Sequence, residues 1–423
     1  MSVFERQTLD SGLRILTAPM PHAQSVAVFI MLAAGSRYEH AANRGIAHFA
    51  EHMFFKGTEK RPTSRDITGL VDSIGGEFNA FTSKEYTGYY VKCAADQIDV
   101  ALDVLVDMVR HSKFESEEVE REKGVILEEI NMYNDTPRDM VGTIYEELLF
   151  GDNPLGWETL GTKETIRSAT RDTFLDYIGT WYQPDRMVVG VGGKVTTEEL
   201  IPKVERLLGD LSGEAPDGPD PVQPTNGDKP AIRIHHKASD QAHLTLGVPS
   251  LPISHPDRYA LQLLQTVLGT GMSSRLFTEV RERRGLAYYV FAANQGYTDT
   301  GTLYTQAGVD LNRIDDAVST IVRELRKVVD EPVPAEELQK VKNLAKGRFV
   351  LQTESPQGLI LFGLRREVLE GEATDPEELL AGIDAVTADD IQRVAQSTLG
   401  GSGLNLALVG PFEDEERFTK LLS

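Results

Sequence analysis

Hydrophobic and polar positions along this chain follow two different periods. Apolar, β-branched runs of strand length occur at residues 25–32, 87–94, 231–237 and 242–248. Helical periodicity dominates residues 97–109, 116–133, 257–268, 313–329 and 334–350. Because paired strands are followed by paired helices, the pattern predicts an α+β fold in which helices cover a largely antiparallel sheet.

The chain also repeats itself. The apolar run at residues 187–193 recurs at 404–410, and two further segments recur in the same order, 97–109 at 313–325 and 166–172 at 383–389. Between the copies, residues 209–230 are rich in Gly, Pro, Asp and Ser, which is typical of a linker. We therefore predict two tandem homologous α/β sandwich domains, 1–208 and 231–423, joined by that linker.

The composition of the chain excludes some classes of binding partner. The 423 residues carry a formal net charge of −22, which argues against a nucleic-acid ligand and an anionic membrane surface. Cys93 is the only cysteine, so no intrachain disulfide can form and a reducing compartment fits. No apolar run approaches membrane-spanning length, and the first ten residues lack the features of a targeting signal. We expect a cytoplasmic protein, with a preference for cationic or neutral ligands.

One short segment contains candidate chemistry. In residues 45–57, His48 and His52 are four apart, so a helix would present both imidazoles on one face at a spacing suited to one metal ion. Glu51 lies on the same side and can reach a water molecule on the metal without being a ligand. This order is the H-x-x-E-H pattern of inverzincin metallopeptidases. The alternative is that the two histidines merely cap or line a helix.

A third ligand is expected in the helix at residues 116–133. On a helical wheel, Glu122 and Glu129 fall within one apolar stripe, whose other members are Val119, Val125, Ile126, Ile130 and Tyr133. Burying two lone carboxylates would cost several kcal/mol each unless a cation or partner compensates. We therefore predict one Zn²⁺ per chain, bound by His48, His52 and Glu129, with Glu122 orienting a ligand histidine. An ordinary buried salt bridge is the alternative for Glu122.

The second copy serves as an internal control. At the repeat offset, His48 and His52 correspond to Gln265 and Gly269, and a local alignment places Glu122 and Glu129 opposite Val341 and Arg348. If the fold needed these side chains, both copies would keep them. The metal chemistry is therefore predicted in the first domain only.

Together, these motifs resemble the pitrilysin or insulinase type of inverzincin zinc metallopeptidase, and in particular its two-domain, mitochondrial-processing-peptidase-like branch. The resemblance rests on residues 45–58, 79–82, 122–129 and 281–288 and covers essentially the whole chain. It implies a chamber enclosed by homologous halves, so a two-domain chain would form a homodimer, or alternatively a heterodimer with a related subunit.

The resemblance also implies roles for residues that periodicity alone would not select. Arg281 and Tyr288 match a pair that holds substrate and stabilises the oxyanion, here across the interface on the partner chain's zinc. Residues 79–81, which are Asn79, Ala80 and Phe81, match a substrate-binding edge strand to which an extended peptide would add. Without the resemblance, a solvated arginine and a core tyrosine would be the ordinary interpretations.

The predicted function is a zinc-dependent endopeptidase that hydrolyses short or unfolded peptides, with basic peptides favoured by the charge. Glu51 would take a proton from the attacking water and pass it to the leaving amine. The alternative function is a non-catalytic structural or assembly subunit of a larger complex. A metal-dependent phosphohydrolase is a third interpretation, but such enzymes normally use more Asp ligands and two metal ions.

Overall fold

The structure is a computed structural model that describes residues 2–222, 230–401 and 403–422. Its strands are β1 (Glu5–Thr8), β2 (Arg14–Pro19), β3 (Ser25–Leu32), β4 (Glu77–Thr82), β5 (Thr87–Ala94), β6 (Met187–Gly193), β7 (Ala231–His236), β8 (Gln241–Ser250), β9 (Ala287–Gly296), β10 (Gly301–Asp310) and β11 (Asn405–Gly410). All four predicted strands are confirmed, as β3, β5, β7 and β8.

The α-helices, in chain order, are α1 (Ile46–Met53), α2 (Ser64–Ser73), α3 (Ile98–His111), α4 (Ser116–Asp135), α5 (Pro137–Phe150), α6 (Lys163–Ser168), α7 (Arg171–Trp181), α8 (Thr197–Leu208), α9 (Arg258–Gly269), α10 (Ile314–Asp330), α11 (Ala335–Thr353), α12 (Pro356–Glu370), α13 (Pro376–Ala385), α14 (Ala388–Leu399) and α15 (Glu415–Leu422). The five predicted helices correspond to α3, α4, α9, α10 and α11, with ends displaced by at most a few residues. Within the described residues, no helix combines the length and apolarity that a membrane span requires.

Two sheets confirm the α+β prediction, and their strand orders match. The first has strand order β1-β2-β6-β3-β5-β4, and the second has β7-β11-β8-β10-β9. In each sheet a single parallel pair, β2 with β6 and β7 with β11, joins an otherwise antiparallel arrangement. Apart from the additional strand β1, the two orders correspond strand for strand.

The compact units of the chain are not contiguous in sequence. The first consists of Met1–Ile130, Trp157–Asp220 and Phe349–Glu378, and the second of Asn131–Gly156, Pro221–Arg348 and Leu379–Ser423. Each unit thus includes one helix from the other half of the chain, α12 in the first and α5 in the second. The homologous domains 1–208 and 231–423 stay a prediction, and residues 223–229 of the predicted linker lie outside the described residues.

In the first unit, the sheet is buried on both faces. Along β3, Val28 and Ile30 belong to the core beneath α1 and α3, whereas Phe29 and Met31 belong to a second core beneath α12. Helix α12 approaches closely because β6 has glycine at its contact: a Cβ on Gly190 would lie 2.4 Å from a methyl group of Leu364. The sheet is thus a central layer between two cores, and α1 lies on one side of it.

In the second unit, α5 packs against β8 and β11. Val141, Tyr145 and Leu149 of the helix join Ala407 and Val409 of β11 in one core. The Tyr145 hydroxyl is buried and lies 2.7 Å from the Thr302 hydroxyl on β10, so its polar group is satisfied.

Candidate metal centre

Helix α1 separates its apolar and polar positions. Its buried residues are Ile46, Ala47, Phe49, Ala50 and Met53. The remaining positions, His48, Glu51 and His52, are only partly buried and share the opposite face. The helix begins after Gly45, whose φ is +88° and whose Cβ, if present, would lie 2.5 Å from the carbonyl oxygen of Leu160. Glycine is therefore required where this helix begins.

A buried carboxylate caps the same helix. The two oxygens of Glu39 accept hydrogen bonds from the backbone N–H groups of Gly45 and Ala47, at 2.7 and 2.8 Å. Burial raises the pKa of Glu39 to about 8, although these two hydrogen bonds oppose the rise. Glu39 thus satisfies free N–H groups at the N-terminus of α1 and fixes the orientation of that helix.

The structure brings together the three predicted ligands. Nε2 of His48 lies 3.8 Å from Oε1 of Glu129, and Nε2 of His52 lies 3.7 Å from Oε2 of the same carboxylate. The two imidazole rings are 4.7 Å apart between centroids. One donor atom from each of the three residues falls within 4.8 Å of the other two, and the part of the chain that the structure describes contains no other such cluster.

The donor set fits a zinc ion. Three donors at zinc bond lengths of about 2.1 Å in tetrahedral geometry lie roughly 3.4 Å from one another. The observed separations of 3.7 and 3.8 Å are close to this value and too long for hydrogen bonds. Two imidazoles and one carboxylate also form the ligand set of many catalytic zinc sites, in which one coordination position stays open.

Helix α4 only partly follows the predicted stripe. Val119, Glu122, Ile126 and Ile130 are buried. Val125 and Tyr133 are exposed instead, because Val125 lies at the uncovered side of the assigned face and Tyr133 lies beyond Ile130, the last buried residue of the helix. These two assignments were wrong.

Glu129 is also less buried than predicted. Its side chain is 25% exposed, so Glu129 lies at the edge of the covered face of α4. Burial is therefore more costly for the carboxylate of Glu122, which is 4% exposed, than for that of Glu129. For Glu129, the distances to the two histidines are the stronger support.

Glu122 contacts His52, one of the predicted ligand histidines. Its Oε1 accepts a hydrogen bond from Nδ1 of His52 at 2.9 Å, and its Oε2 forms an ion pair with Lys56. Hydrogen bonds from His52 and Lys56 lower the pKa of Glu122 against the opposing effect of burial. An ionised Glu122 favours the His52 tautomer with its proton on Nδ1, which leaves Nε2 free to bind a metal.

His48 has a different environment. Its Nδ1 is buried and has no hydrogen-bond partner. Burial and, secondarily, the neighbouring His52 lower the pKa of His48 to about 4. A neutral imidazole is the form that binds a metal. His48 can therefore offer an unprotonated Nε2 to a metal ion.

Glu51 is adjacent to the three-residue cluster but does not belong to it. Burial raises its pKa, and a hydrogen bond from Thr82 together with the neighbouring His52 opposes that rise. The Thr82 hydroxyl donates to Oε2 of Glu51 at 2.5 Å. Glu51 thus combines partial burial with one fixed oxygen, which suits a proton acceptor.

The predicted substrate-binding residues lie at one edge of the first sheet. Asn79, Ala80 and Phe81 belong to β4, which pairs with β5 and ends the strand order. Asn79 is exposed, whereas Ala80 packs against the core beneath α1 and Phe81 against the core beneath α12. The free edge of β4 leaves backbone groups that an extended peptide can pair with.

Arg281 and Tyr288 are in the second unit and lie close to each other. The Arg281 guanidinium lies 4.8 Å from the ring centre of Phe277 and 5.7 Å from that of Tyr288. Tyr288 is 73% exposed, so it is not the core residue that its position before a strand would ordinarily indicate.

Sequence reasoning missed Lys56 and Thr82, which contact this site, and Glu39, which caps the helix that carries it. Lys56 lies four residues after His52, and this spacing could have suggested it. Thr82 belongs to the segment that carried the resemblance, but it received no role of its own. Glu39 had no local signal, since it is a capping residue seven positions before α1.

Comparison with known proteins identifies the family. Residues 14–163 match the family described as Insulinase (Peptidase family M16), and residues 168–345 match the Peptidase M16 inactive domain. The uncharacterized zinc protease YmxG of Bacillus subtilis is 36% identical over 413 residues, which is 97% of this chain and 98% of that protein. The chain belongs to the M16, or insulinase, peptidase family. An uncharacterized zinc protease of Streptomyces coelicolor is also 36% identical, over 97% of this chain and 90% of that protein.

Solved structures agree on the fold. A protease from Helicobacter pylori superposes with a TM-score of 0.91 at 23% identity and covers 97% of this chain and 100% of its own. A peptidase M16 inactive domain from Pseudomonas fluorescens gives 0.90 at 18% identity, over 97% and 98% of the two chains. The family models and the zinc protease relatives confirm the predicted family, and these structures confirm its fold. Relatives named zinc proteases, together with the His48, His52 and Glu129 cluster, support the predicted zinc cofactor of this M16 member.

Proposed function

We propose that this M16 family member is a zinc-dependent endopeptidase in which Glu51 is the general base. The observation that carries the proposal is the convergence of His48, His52 and Glu129, with Glu51 on the same helical face as the two histidines. A zinc ion held by those three residues would supply a coordinated water of lowered pKa and a positive charge beside the scissile carbonyl.

The chain's own groups have separate roles in this proposal. Glu122 accepts the Nδ1 proton of His52 and so keeps Nε2 available. Glu51 accepts a proton from the attacking water and returns it to the nitrogen of the leaving amine. The free edge of β4 binds the substrate backbone at Asn79, Ala80 and Phe81, so short or unfolded peptides are the substrates.

The decisive variant is Glu51→Gln, for which peptide cleavage and zinc content are measured on the same sample. It should retain one zinc per chain and lose cleavage of an unstructured peptide, because the amide cannot accept the proton. Glu129→Gln, in contrast, should lose zinc as well as activity. An E51Q protein that cleaves peptides at the wild-type rate contradicts the mechanism. Full biological function in cells carrying E51Q supports the alternative, a structural or assembly subunit.

We further propose that two chains form a homodimer in which Arg281 and Tyr288 of one protomer act at the zinc site of its partner. Solution mass tests the dimer, and a heterodimer with a related subunit is the alternative. Mixing E51Q with R281A chains tests the trans arrangement. After subunit exchange at equal concentrations, half of the dimers should be mixed, and each mixed dimer contains one intact site out of two. About a quarter of the wild-type activity should therefore return. Activity that does not return places these residues at their own chain's site or elsewhere.

We also propose cytoplasmic localisation, which the single cysteine supports, and a preference for basic peptides, which the net charge of −22 supports. Replacing Arg or Lys in a model peptide by neutral residues should slow its cleavage, and the difference should shrink as salt is added. Equal rates for the charged and neutral peptides contradict steering by charge.

A further inference from the structure

We propose that Thr82 is the positioning residue for the general base, holding the Glu51 carboxylate so that its other oxygen faces the reacting water. This inference rests on the proposed function, since it assigns Glu51 the role of base. The contact itself is direct: the Thr82 hydroxyl donates to Oε2 of Glu51 at 2.5 Å. Among the described residues, Thr82 is the only hydrogen-bond partner found for Glu51.

Strand β4 aims Thr82 towards α1. Side chains alternate along a strand, so Phe78, Ala80 and Thr82 share one face. Phe78 and Ala80 pack against the core beneath α1, and the Phe78 ring lies 5.4 Å from that of Phe55, just after the helix. The hydroxyl of Thr82 therefore reaches α1 because of the strand register, and not through a flexible loop.

One hydrogen bond is sufficient to make the two oxygens of Glu51 unequal. A carboxylate on a two-carbon side chain can rotate freely about its last bond, so either oxygen could face the substrate. With Oε2 occupied by Thr82, Oε1 is the oxygen left to accept a proton. Since proton transfer needs a donor–acceptor distance of about 2.6–3.2 Å, fixing this oxygen raises the fraction of productive encounters.

The position of Thr82 also links base orientation to substrate binding. Thr82 is the last residue of β4, the edge strand to which the substrate backbone is proposed to add. A peptide paired along β4 would order the end of that strand and, with it, the hydroxyl that holds Glu51. The base is then best oriented when substrate is bound.

The test compares T82V, which keeps the side-chain shape without the donor, with T82S, which keeps the donor. In the zinc-loaded protein, T82V should lower kcat about 10–100-fold with KM changed less than about threefold, because a small misplacement of a catalytic group has effects of this size. T82S should retain most of the wild-type kcat, and both variants should hold wild-type zinc. The control is T8V, since Thr8 is exposed and ends β1 at the opposite edge of the same sheet.

A second measurement does not depend on activity. In metal-free protein, a double-mutant cycle of T82V and E51A should show that T82V lowers the unfolding midpoint in wild type and much less in the E51A background. Additive effects, an unchanged kcat in T82V, or a T82S variant as slow as T82V would each overturn the proposal.

The two proposals fail in distinguishable ways. If E51Q cleaves as fast as wild type, the proposed function fails, and coupling between Thr82 and Glu51 would then be structural only. If E51Q is inactive while T82V is fully active, Glu51 is the base and Thr82 does not position it.

Discussion

His52 and Lys56 contact the two oxygens of one buried carboxylate. Glu122 accepts a hydrogen bond from Nδ1 of His52 at 2.9 Å, and its other oxygen forms an ion pair with Lys56. His48, in contrast, has a buried Nδ1 without a partner. The two predicted ligand histidines are therefore supported unequally, and the hydrogen bond that supports His52 can be removed separately.

Removing Glu122 should weaken zinc binding without removing a ligand. In E122A, Nδ1 of His52 loses its acceptor, so the tautomer and ring orientation that favour a free Nε2 are no longer imposed. Loss of such a contact typically raises the metal dissociation constant 10–100-fold. Competition with a chromophoric chelator measures this constant. E117A is the matched control, because Glu117 is exposed on the same helix. Equal affinities in E122A and wild type would contradict the role of Glu122.

Lys56→Met should destabilise the metal-free protein by about 1–3 kcal/mol, since it leaves a buried carboxylate with a single partner. The side chain of Glu122 is only 5% exposed, so water cannot take the place of the Lys56 ammonium group beside it. Urea unfolding measures the change. The control is K60M, because Lys60 pairs with Asp103 at the surface, where an ion pair contributes at most about 1 kcal/mol. A K56M protein as stable as K60M would show that the Lys56 contact contributes no more than a surface ion pair.

The sequence was sufficient to predict what depends on local spacing. The helical repeat places His48, Glu51 and His52 on one face, and the buried stripe of α4 includes Glu122. Tertiary contacts were not predictable in this way. Thr82 reaches Glu51 through the register of β4, which no periodicity encodes, whereas only the spacing of Lys56 from His52 could have suggested its contact with Glu122.

Helical periodicity also gave too wide a face for α4. Val125 and Tyr133 are apolar in type but exposed, because the wheel reports which residues share a side and not how much of that side a neighbour covers. In the same way, the hydrophobic pattern marks the strands of each sheet but does not show that α12 packs on the first sheet and α5 on the second.

Gly45→Ala should destabilise the first unit more than an ordinary glycine replacement. Both Gly45 and Gly75 have positive φ, +88° and +63°, but only at Gly45 would a Cβ meet backbone, 2.5 Å from the Leu160 oxygen. G75A should therefore cost about 1 kcal/mol from backbone strain, and G45A about 3–4 kcal/mol from strain plus the clash. Thermal unfolding and zinc content check this, because α1 carries two ligands. Equal losses in the two variants would show that the approach of Leu160 is easily relaxed.

Buried Glu39 should make stability depend on pH. Burial raises its pKa in the folded protein to about 8, whereas Lys84, Arg44 and the two backbone hydrogen bonds only oppose that rise. The folded state therefore holds the Glu39 proton more tightly than the unfolded chain, in which the pKa is about 4.3. Its contribution to stability is fully present below that unfolded value and is lost as the pH rises towards 8.

The prediction is best measured as a difference between wild type and E39Q, whose side chain does not titrate. The free energy of unfolding of wild type minus that of E39Q should fall by about 2–4 kcal/mol between pH 5 and 8.5, and it should level off above that range and below about pH 4. The control E77Q removes an exposed carboxylate of the same unit and should give a nearly constant difference. A difference that instead grows with pH would mean that the N–H groups of Gly45 and Ala47 stabilise the ionised carboxylate more than burial destabilises it.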